Sequence, residues 1–304
     1  MTGFDVVGVG ALNVDKLFKV NCIAHTEEEG FITSHEESCG GSAANTVVGL
    51  ARLGCKVGFI GKVGGDPEAK MLLEDFRKEG VDAAGVVEAK FGESGTVMGF
   101  VDEAGQRALY IHSGVNDALA LEEIKLEYIA GSKFVHLTSF VGEKSFQTQK
   151  RLLEALPATV KVSFDPGALY ARKGFTQLEP IIAETYVMMP NGKELEQITG
   201  ETDPKHGAAF LLKKGVKVVA VKLGGEGCYV TDGKQEHRLA ALKVPVVDTT
   251  GAGDAFCAGF LYGLLNGKSL LDCAKLGNFV ASRCVMKLGA RAGLPYQKDL
   301  KLFG

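Results

Sequence analysis

The residues best suited to chemistry stand at Asp248-Thr249-Thr250-Gly251-Ala252-Gly253-Asp254-Ala255-Phe256, directly ahead of the apolar, helix-patterned run CAGFLYGLL. Small residues where a helix begins leave its first N–H groups uncovered, and with the positive end of the helix dipole these make an anion site. Asp254 sets a carboxylate beside that site. A carboxylate suits such a place if it handles a proton or a metal, and phosphoryl transfer asks for this pairing. Donors hold the charge on the transferred group while a carboxylate takes the proton of the acceptor hydroxyl. An ordinary aspartate, with a pKa of about 3.9, is a weak base. In a loose transition state the nucleophile's proton leaves late, however, so a positioned carboxylate suffices. The same residues would also make a helix-capping aspartate in a glycine-rich turn.

This stretch does not stand alone. DTTGAGDAFCAGF resembles the C-terminal motif of the ribokinase-like (PfkB) family of carbohydrate and nucleoside kinases. Gly40-Gly41-Ser42-Ala43-Ala44-Asn45-Thr46, running into GLARLG, resembles that family's first motif, a glycine pair followed by a helix that carries an Asn. The two lie about 200 residues apart in the family's order, and the resemblance extends over essentially the whole chain. It implies an ATP-dependent phosphotransferase acting by in-line transfer on a hydroxyl of a small sugar, with an adenosine-type nucleoside as the alternative acceptor. A sugar-binding regulatory relative without catalysis is the non-enzyme alternative, and the presence of both Asp254 and the glycines speaks against it.

Carried over residue by residue, the resemblance implies Asp254 as catalytic base and Gly251, Ala252 and Gly253 as the anion hole. Asn191 and Glu194, in MPNGKELEQITG, match an N-x-x-E motif that acts through water on Mg²⁺ and the phosphates; they equally fit a helix capping box. Lys222, Gly225 and Gly227 match a strand and turn beside the nucleotide, where a tight hairpin explains the glycines as well. Asn278 falls where family members contact adenine, or pairs within the protein. On the acceptor side the resemblance implies Asn13, Asp15, Gly41 and Asn45, with Arg107 reaching in from a hairpin or remaining solvated. Asp248 and Thr250, with the loop Gly289-Ala290-Arg291-Ala292-Gly293, resemble a monovalent cation site that would hold K⁺.

Apolar runs alternating with helical patterns must position these residues. A β-rich opening from Phe4 precedes a helix over 43–53; a strand over 56–64 precedes a helix over 67–79. The alternation resumes with a helix over 121–131, strand 133–137, helix 143–156, strand 160–165, a helix near 176–184, strand 186–189 and helix 191–199. Three short strands, 217–223, 226–232 and 235–240, read as an antiparallel meander, and two helices, about 252–266 and 269–288, close the chain. The expectation is an α/β fold, ribokinase-like, with a mostly parallel central sheet sandwiched by helices. The segments 12–39 and 94–113 lack helical pattern and predict a small β-sheet lid on a single domain spanning 1–304. Its exposed edges suit pairing with a twin into a homodimer.

Composition narrows the partners. With 34 Lys+Arg against 37 Asp+Glu the net charge is −3, which argues against nucleic acid. The longest apolar run, Ala255 to Leu265, contains Gly259 and Gly263 and falls short of the roughly 20 apolar residues of a membrane span. No charged leader precedes the first apolar stretch, so a cytoplasmic location is expected. Seven cysteines without a C-x-x-C pair read as reduced thiols. Gly8 to Asn13 begins like a dinucleotide fingerprint but lacks its third glycine and a following helix, and Gly263 to Ser269 is a residue short of a Walker A loop.

Overall fold

A computed structural model describes residues 3–104 and 106–303, apart from the side chains of Arg107, Leu302 and Phe303. Its strands are β1 (Val6–Val9), β2 (Asn13–Val20), β3 (Ile32–Gly40), β4 (Val57–Val63), β5 (Asp82–Glu88), β6 (Gly95–Val101), β7 (Arg107–His112), β8 (Phe134–Leu137), β9 (Lys161–Phe164), β10 (Thr185–Met188), β11 (Val218–Lys222), β12 (Cys228–Thr231) and β13 (Glu236–Leu239). The helices are α1 (Ser42–Arg52), α2 (Pro67–Glu79), α3 (Leu126–Ile129), α4 (Glu143–Ala155), α5 (Gly167–Ala171), α6 (Gly174–Glu184), α7 (Gly192–Thr199), α8 (Pro204–Lys213), α9 (Ala252–Leu265) and α10 (Leu270–Cys284).

The main sheet has the order β13-β12-β11-β10-β9-β8-β1-β4-β5. Neighbours from β11 to β5 run parallel, and the expected meander closes one edge with antiparallel β12 and β13. Strands such as VVGV read as unbroken apolar runs because both faces are covered. Val6 joins a core beneath α1, α2, α9 and α10, while Val7 and Val9 join a second core beneath α4 to α8. From β1 the chain steps outward to β4 and β5, then builds β8 to β11 on the other side. Open α/β sheets bind ligands at such a reversal, outside the carboxyl ends of the strands.

The second sheet, ordered β3-β2-β6-β7, is the small sheet expected from 12–39 and 94–113. Its outer pairs are antiparallel and its central pair, β2 with β6, is parallel, starting at Asn13 opposite Gly95. Phe18 stacks on Phe100 with centroids 5.2 Å apart. The chain re-enters the main domain through Gly41, whose φ of 104° and contact with the Ala11 carbonyl leave no room for a side chain.

Four local expectations change. The helix expected over 121–131 is a 3₁₀ turn, Leu121–Glu123, followed by the single-turn α3. Glu123 folds back onto the Ala120 N–H at 2.9 Å and pairs with buried Lys62 at 2.5 Å, which pins the segment in two short pieces. The closing helix stops at Cys284 rather than continuing to 288, because the Val285 carbonyl turns to accept the N–H groups of Val247 and Asp248. Helix α8 went unanticipated despite Asp203 capping and Pro204 at its first position. So did edge strand β5, whose half-exposed DAAGVVE has little apolar pattern. All seven cysteines are free; Cys22 and Cys55 are partly exposed and the other five buried.

Candidate active site

Helix α9 begins at Gly251, which takes φ 75°; a Cβ there would lie 2.6 Å from that of Ala290. The Ala252 N–H closes the turn onto the Thr249 carbonyl at 3.2 Å. The N–H groups of Gly251, Gly253 and Asp254 take no backbone carbonyl among the described residues, so these three, more than Ala252, are the donors this turn can offer an anion.

Asp254, in the first turn, is gripped from α1. Ser42 Oγ donates to its Oδ1 at 2.6 Å and Asn45 Nδ2 to its Oδ2 at 2.8 Å, joining the two motifs that lie far apart in sequence. Burial pushes its pKa up to about 6 against these hydrogen bonds, with Asp165 adding to the rise and Lys222 opposing it. Behind Asn45 lies buried Arg291. Its Nε donates to Asn45 Oδ1 at 2.8 Å, Nη2 donates to the Gly40 carbonyl at 3.3 Å, and Nη1 pairs with Asp75.

The acceptor candidates gather where the chain passes from β1 of the main sheet into β2 of the small one. Asp15 is cradled by Gly40, whose missing side chain makes room for the carboxylate, and burial lifts its pKa to about 6 with Arg291 opposing and Asp254 adding. Asn13 Oδ1 accepts from Asn116 Nδ2 at 2.9 Å, which leaves its amide nitrogen available as a donor beside the Asp15 acceptor. Buried Asn116 also exchanges hydrogen bonds with the backbone of Leu12, fixing the start of β2. The Arg107 side chain lies outside the described residues.

On the other side of Asp254 runs a cleft of ≈ 240 Å³. Lys222, Gly225, Gly227, Gly253 and Asn278 line it, with apolar walls from Leu242, Val244, Val246, Phe256 and Val285. The structure thus brings Lys222, Gly225, Gly227 and Asn278 of the expected nucleotide residues onto one surface, while Asn191 and Glu194 are not among its lining residues. Asn278 is also paired internally, donating to the Ala240 carbonyl at 3.1 Å. At the cleft's inner end Lys222 Nζ meets Asp165 at 2.5 Å and comes within 3.3 Å of where a Gly253 Cβ would stand. Burial alone would lower the Lys222 pKa, but Asp165, Cys257 and Glu194 outweigh it and hold the ammonium protonated.

Asn191 and Glu194 form the capping box of α7: Asn191 Oδ1 accepts the Glu194 N–H at 2.9 Å and Glu194 Oε2 accepts the Asn191 N–H at 2.8 Å. Glu194 is nevertheless buried beside the cleft, and burial with Asp165 lifts its pKa to about 7. Among the described residues no three His, Cys, Asp or Glu side chains are grouped to hold a metal. One carboxylate beside a phosphate cleft is nonetheless a donor set that suits Mg²⁺, which binds few protein ligands and keeps water and phosphates. Asp248 Oδ1 accepts from Thr250 N at 2.9 Å and Oγ1 at 2.8 Å, and Oδ2 accepts from Gly289 N at 2.8 Å, so the carboxylate proposed for K⁺ also organises its own loop.

Sequence reasoning did not single out Ser42, Asp165 or Asn116, nor the Arg291 side chain. Asp165-Pro166 after a strand was a visible signal; the partners of Asn116 and Arg291 lie about 100 and 250 residues away and were not.

A model described as pfkB family carbohydrate kinase matches residues 5–297. The chain belongs to this family. Within it, an uncharacterized sugar kinase of Archaeoglobus fulgidus is 46% identical over 255 residues, 83% of this chain and all of that one. The ATP-dependent ribose-1-phosphate kinase of Halopiger xanaduensis is 32% identical, with 94% of each chain covered. A ribokinase crystal structure from Thermotoga maritima superposes with a TM-score of 0.88 at 27% identity, covering 99% of each chain. This PfkB carbohydrate kinase therefore has the ribokinase-like fold, with its large, mostly parallel sheet and small separate lid sheet. Among the described residues no helix is long and apolar enough to cross a membrane.

Proposed function

We propose that the protein transfers the γ-phosphoryl group of ATP in line to a hydroxyl of a small sugar, with Asp254 as base. The observation that carries this reading is the place of Asp254: Ser42 and Asn45 hold its carboxylate, its neighbour Gly253 lines the cleft, and the N–H groups of Gly251, Gly253 and Asp254 take no backbone carbonyl among the described residues. Asn13 and Asp15 offer a donor and an acceptor to neighbouring hydroxyls, with Gly41 and Asn45 closing the recess. The nucleotide lies along Gly225, Gly227 and Asn278, its phosphates directed toward Lys222 and the start of α9. The acceptor oxygen attacks the γ-phosphorus and passes its proton to Asp254. The Gly251, Gly253 and Asp254 N–H groups and the Lys222 ammonium hold the charge on the transferred group, and ADP leaves. Glu194, with Asn191 fixing it, would hold Mg²⁺ through water, and the ion would neutralise phosphate charge when bound. K⁺ would sit by Asp248 and Thr250, steadying the anion-hole turn. The lid, 12–39 and 94–113, closes over the acceptor, brings Arg107 toward it and offers its outer face to a second copy.

The test is nucleotide release with Mg-ATP, with and without K⁺, across sugars, sugar phosphates and nucleosides. One strong sugar acceptor is expected, and Asp254→Asn should lower kcat by about 10² to 10⁴. Sugar binding without turnover would overturn the catalytic reading, and preference for a nucleoside would overturn the acceptor.

A further inference from the structure

We infer that Arg291 is a positioning residue for the transfer: it fixes which way the Asn45 amide faces, and through Gly40 it ties that orientation to the last residue of the lid. The inference rests on the reading of Asp254 as base. An asparagine amide can present either its oxygen or its nitrogen to a neighbour. Toward a carboxylate only the nitrogen is favourable, because a carbonyl oxygen in its place would repel the base. A guanidinium has donors and no acceptor, so Arg291 Nε accepts no orientation of Asn45 but the one that turns Oδ1 to itself and Nδ2 to Asp254.

Arg291 is itself held on every side. Asp75 on α2 neutralises it, the Gly40 carbonyl takes Nη2, and the Phe76 ring lies 6.0 Å from the guanidinium carbon. A second arginine fixes its backbone: Arg52 Nη1 donates to the Arg291 carbonyl at 2.6 Å while Arg52 grips Glu79 with two hydrogen bonds. The guanidinium thus joins α1, α2 and the end of β3, the strand that leads into Gly41. A shift of the lid's base moves the Gly40 carbonyl, and the fork that reads it also holds Asn45. Asp15 feels the same charge from the lid side.

The groups acting on Asp254 are Ser42 and Asn45 from α1, Asp15 from β2, Asp165 after β9, Glu194 from α7, Lys222 from β11, and Cys257 and Cys284 from α9 and α10. Arg291 touches none of the reacting atoms, so its contribution is read through Asn45. In Arg291→Met the amide is free to turn, and loss of a hydrogen bond to a charged group should raise the Asp254 midpoint by about one to two pH units. The kcat should fall about 10- to 100-fold with the KM for ATP within about twofold. Arg291→Lys retains a donor for Asn45 but cannot bridge three partners, and should recover part of both effects.

Two readouts separate the inference from the base assignment. The first is the pH profile of kcat. The second is the carboxyl ¹³C shift of Asp254, assigned by its loss in Asp254→Asn and followed through pH 4 to 9 in the free protein. A raised midpoint in Arg291→Met, partly restored in Arg291→Lys, supports the positioning role even if Asp254→Asn proves active, which would sink only the base assignment. An unchanged Asp254 midpoint in Arg291→Met overturns the inference, whatever happens to kcat. If Arg291→Met does not fold, Arg291→Lys carries the test: a midpoint and kcat indistinguishable from wild type overturn the inference, and an intermediate shift supports it.

Discussion

Between pH 7 and pH 5 kcat/KM for the acceptor should fall about tenfold, because the group proposed to accept the proton becomes protonated in that interval. A base works as the carboxylate, so activity is present above its pKa and lost as pH falls through it. With burial lifting Asp254 to about 6, about 90% is ionised at pH 7 and about 10% at pH 5. An aspartate left at its ordinary value would still be more than about 90% ionised at pH 5, and kcat/KM would barely change. The assay is initial-rate ADP release with the acceptor held well below its KM, so that kcat/KM reports groups of the protein before the acceptor binds. Two other carboxylates titrate nearby, Asp15 at about 6 and Glu194 at about 7, so the profile is repeated in Asp15→Asn and Glu194→Gln. The acid limb should persist in both and vanish from the residual activity of Asp254→Asn. A kcat/KM flat from pH 7 to 5, or an acid limb that survives in Asp254→Asn, refutes the reasoning.

The two glycines of the proposed anion hole should respond in opposite ways. Gly251→Ala places a Cβ against Ala290 at a φ of 75° and should destabilise the protein by about 2–4 kcal/mol, seen as a lowered Tm. Gly253→Ala meets only the Lys222 side chain, its Nζ at 3.3 Å, so Tm should hold or rise while kcat drops about 10- to 100-fold as the ammonium is displaced. Equal Tm losses in the two variants would contradict that division. Asp15→Ala should raise the acceptor KM by about tenfold or more and alter the ATP KM little; a loss confined to kcat would move Asp15 out of the recess.

Much of this was readable in the chain. Repeated apolar runs with helical spacing between them pointed to the sheet, and DTTGAGDAF carries the residues proposed as anion hole and base in one local stretch that opens α9. What could not be read is what depends on distant partners. That Asn45 reaches Asp254, or that Asn116 holds Asn13, is decided by packing between segments with no local signature. Helix α3 shows the converse: 121–131 has adequate helical pattern, but the tertiary pair Lys62–Glu123 overrides it. Asn191 and Glu194 fit two descriptions in the sequence, and the capping box is now seen together with burial beside the cleft, so cap and proposed metal carboxylate are the same two residues.

The distribution of thiols has a practical consequence for following the lid. Cys39, Cys55, Cys228, Cys257, Cys273 and Cys284 are all held above the ordinary thiol range, chiefly by burial, so almost none of each exists as the reactive thiolate near neutrality. Of the two partly exposed thiols, Cys55 is among those six, and Cys22 stands in the connection between β2 and β3. A maleimide or iodoacetamide dye should therefore mark the lid in the native protein, and its fluorescence would follow the opening and closing of that sheet without any engineered residue.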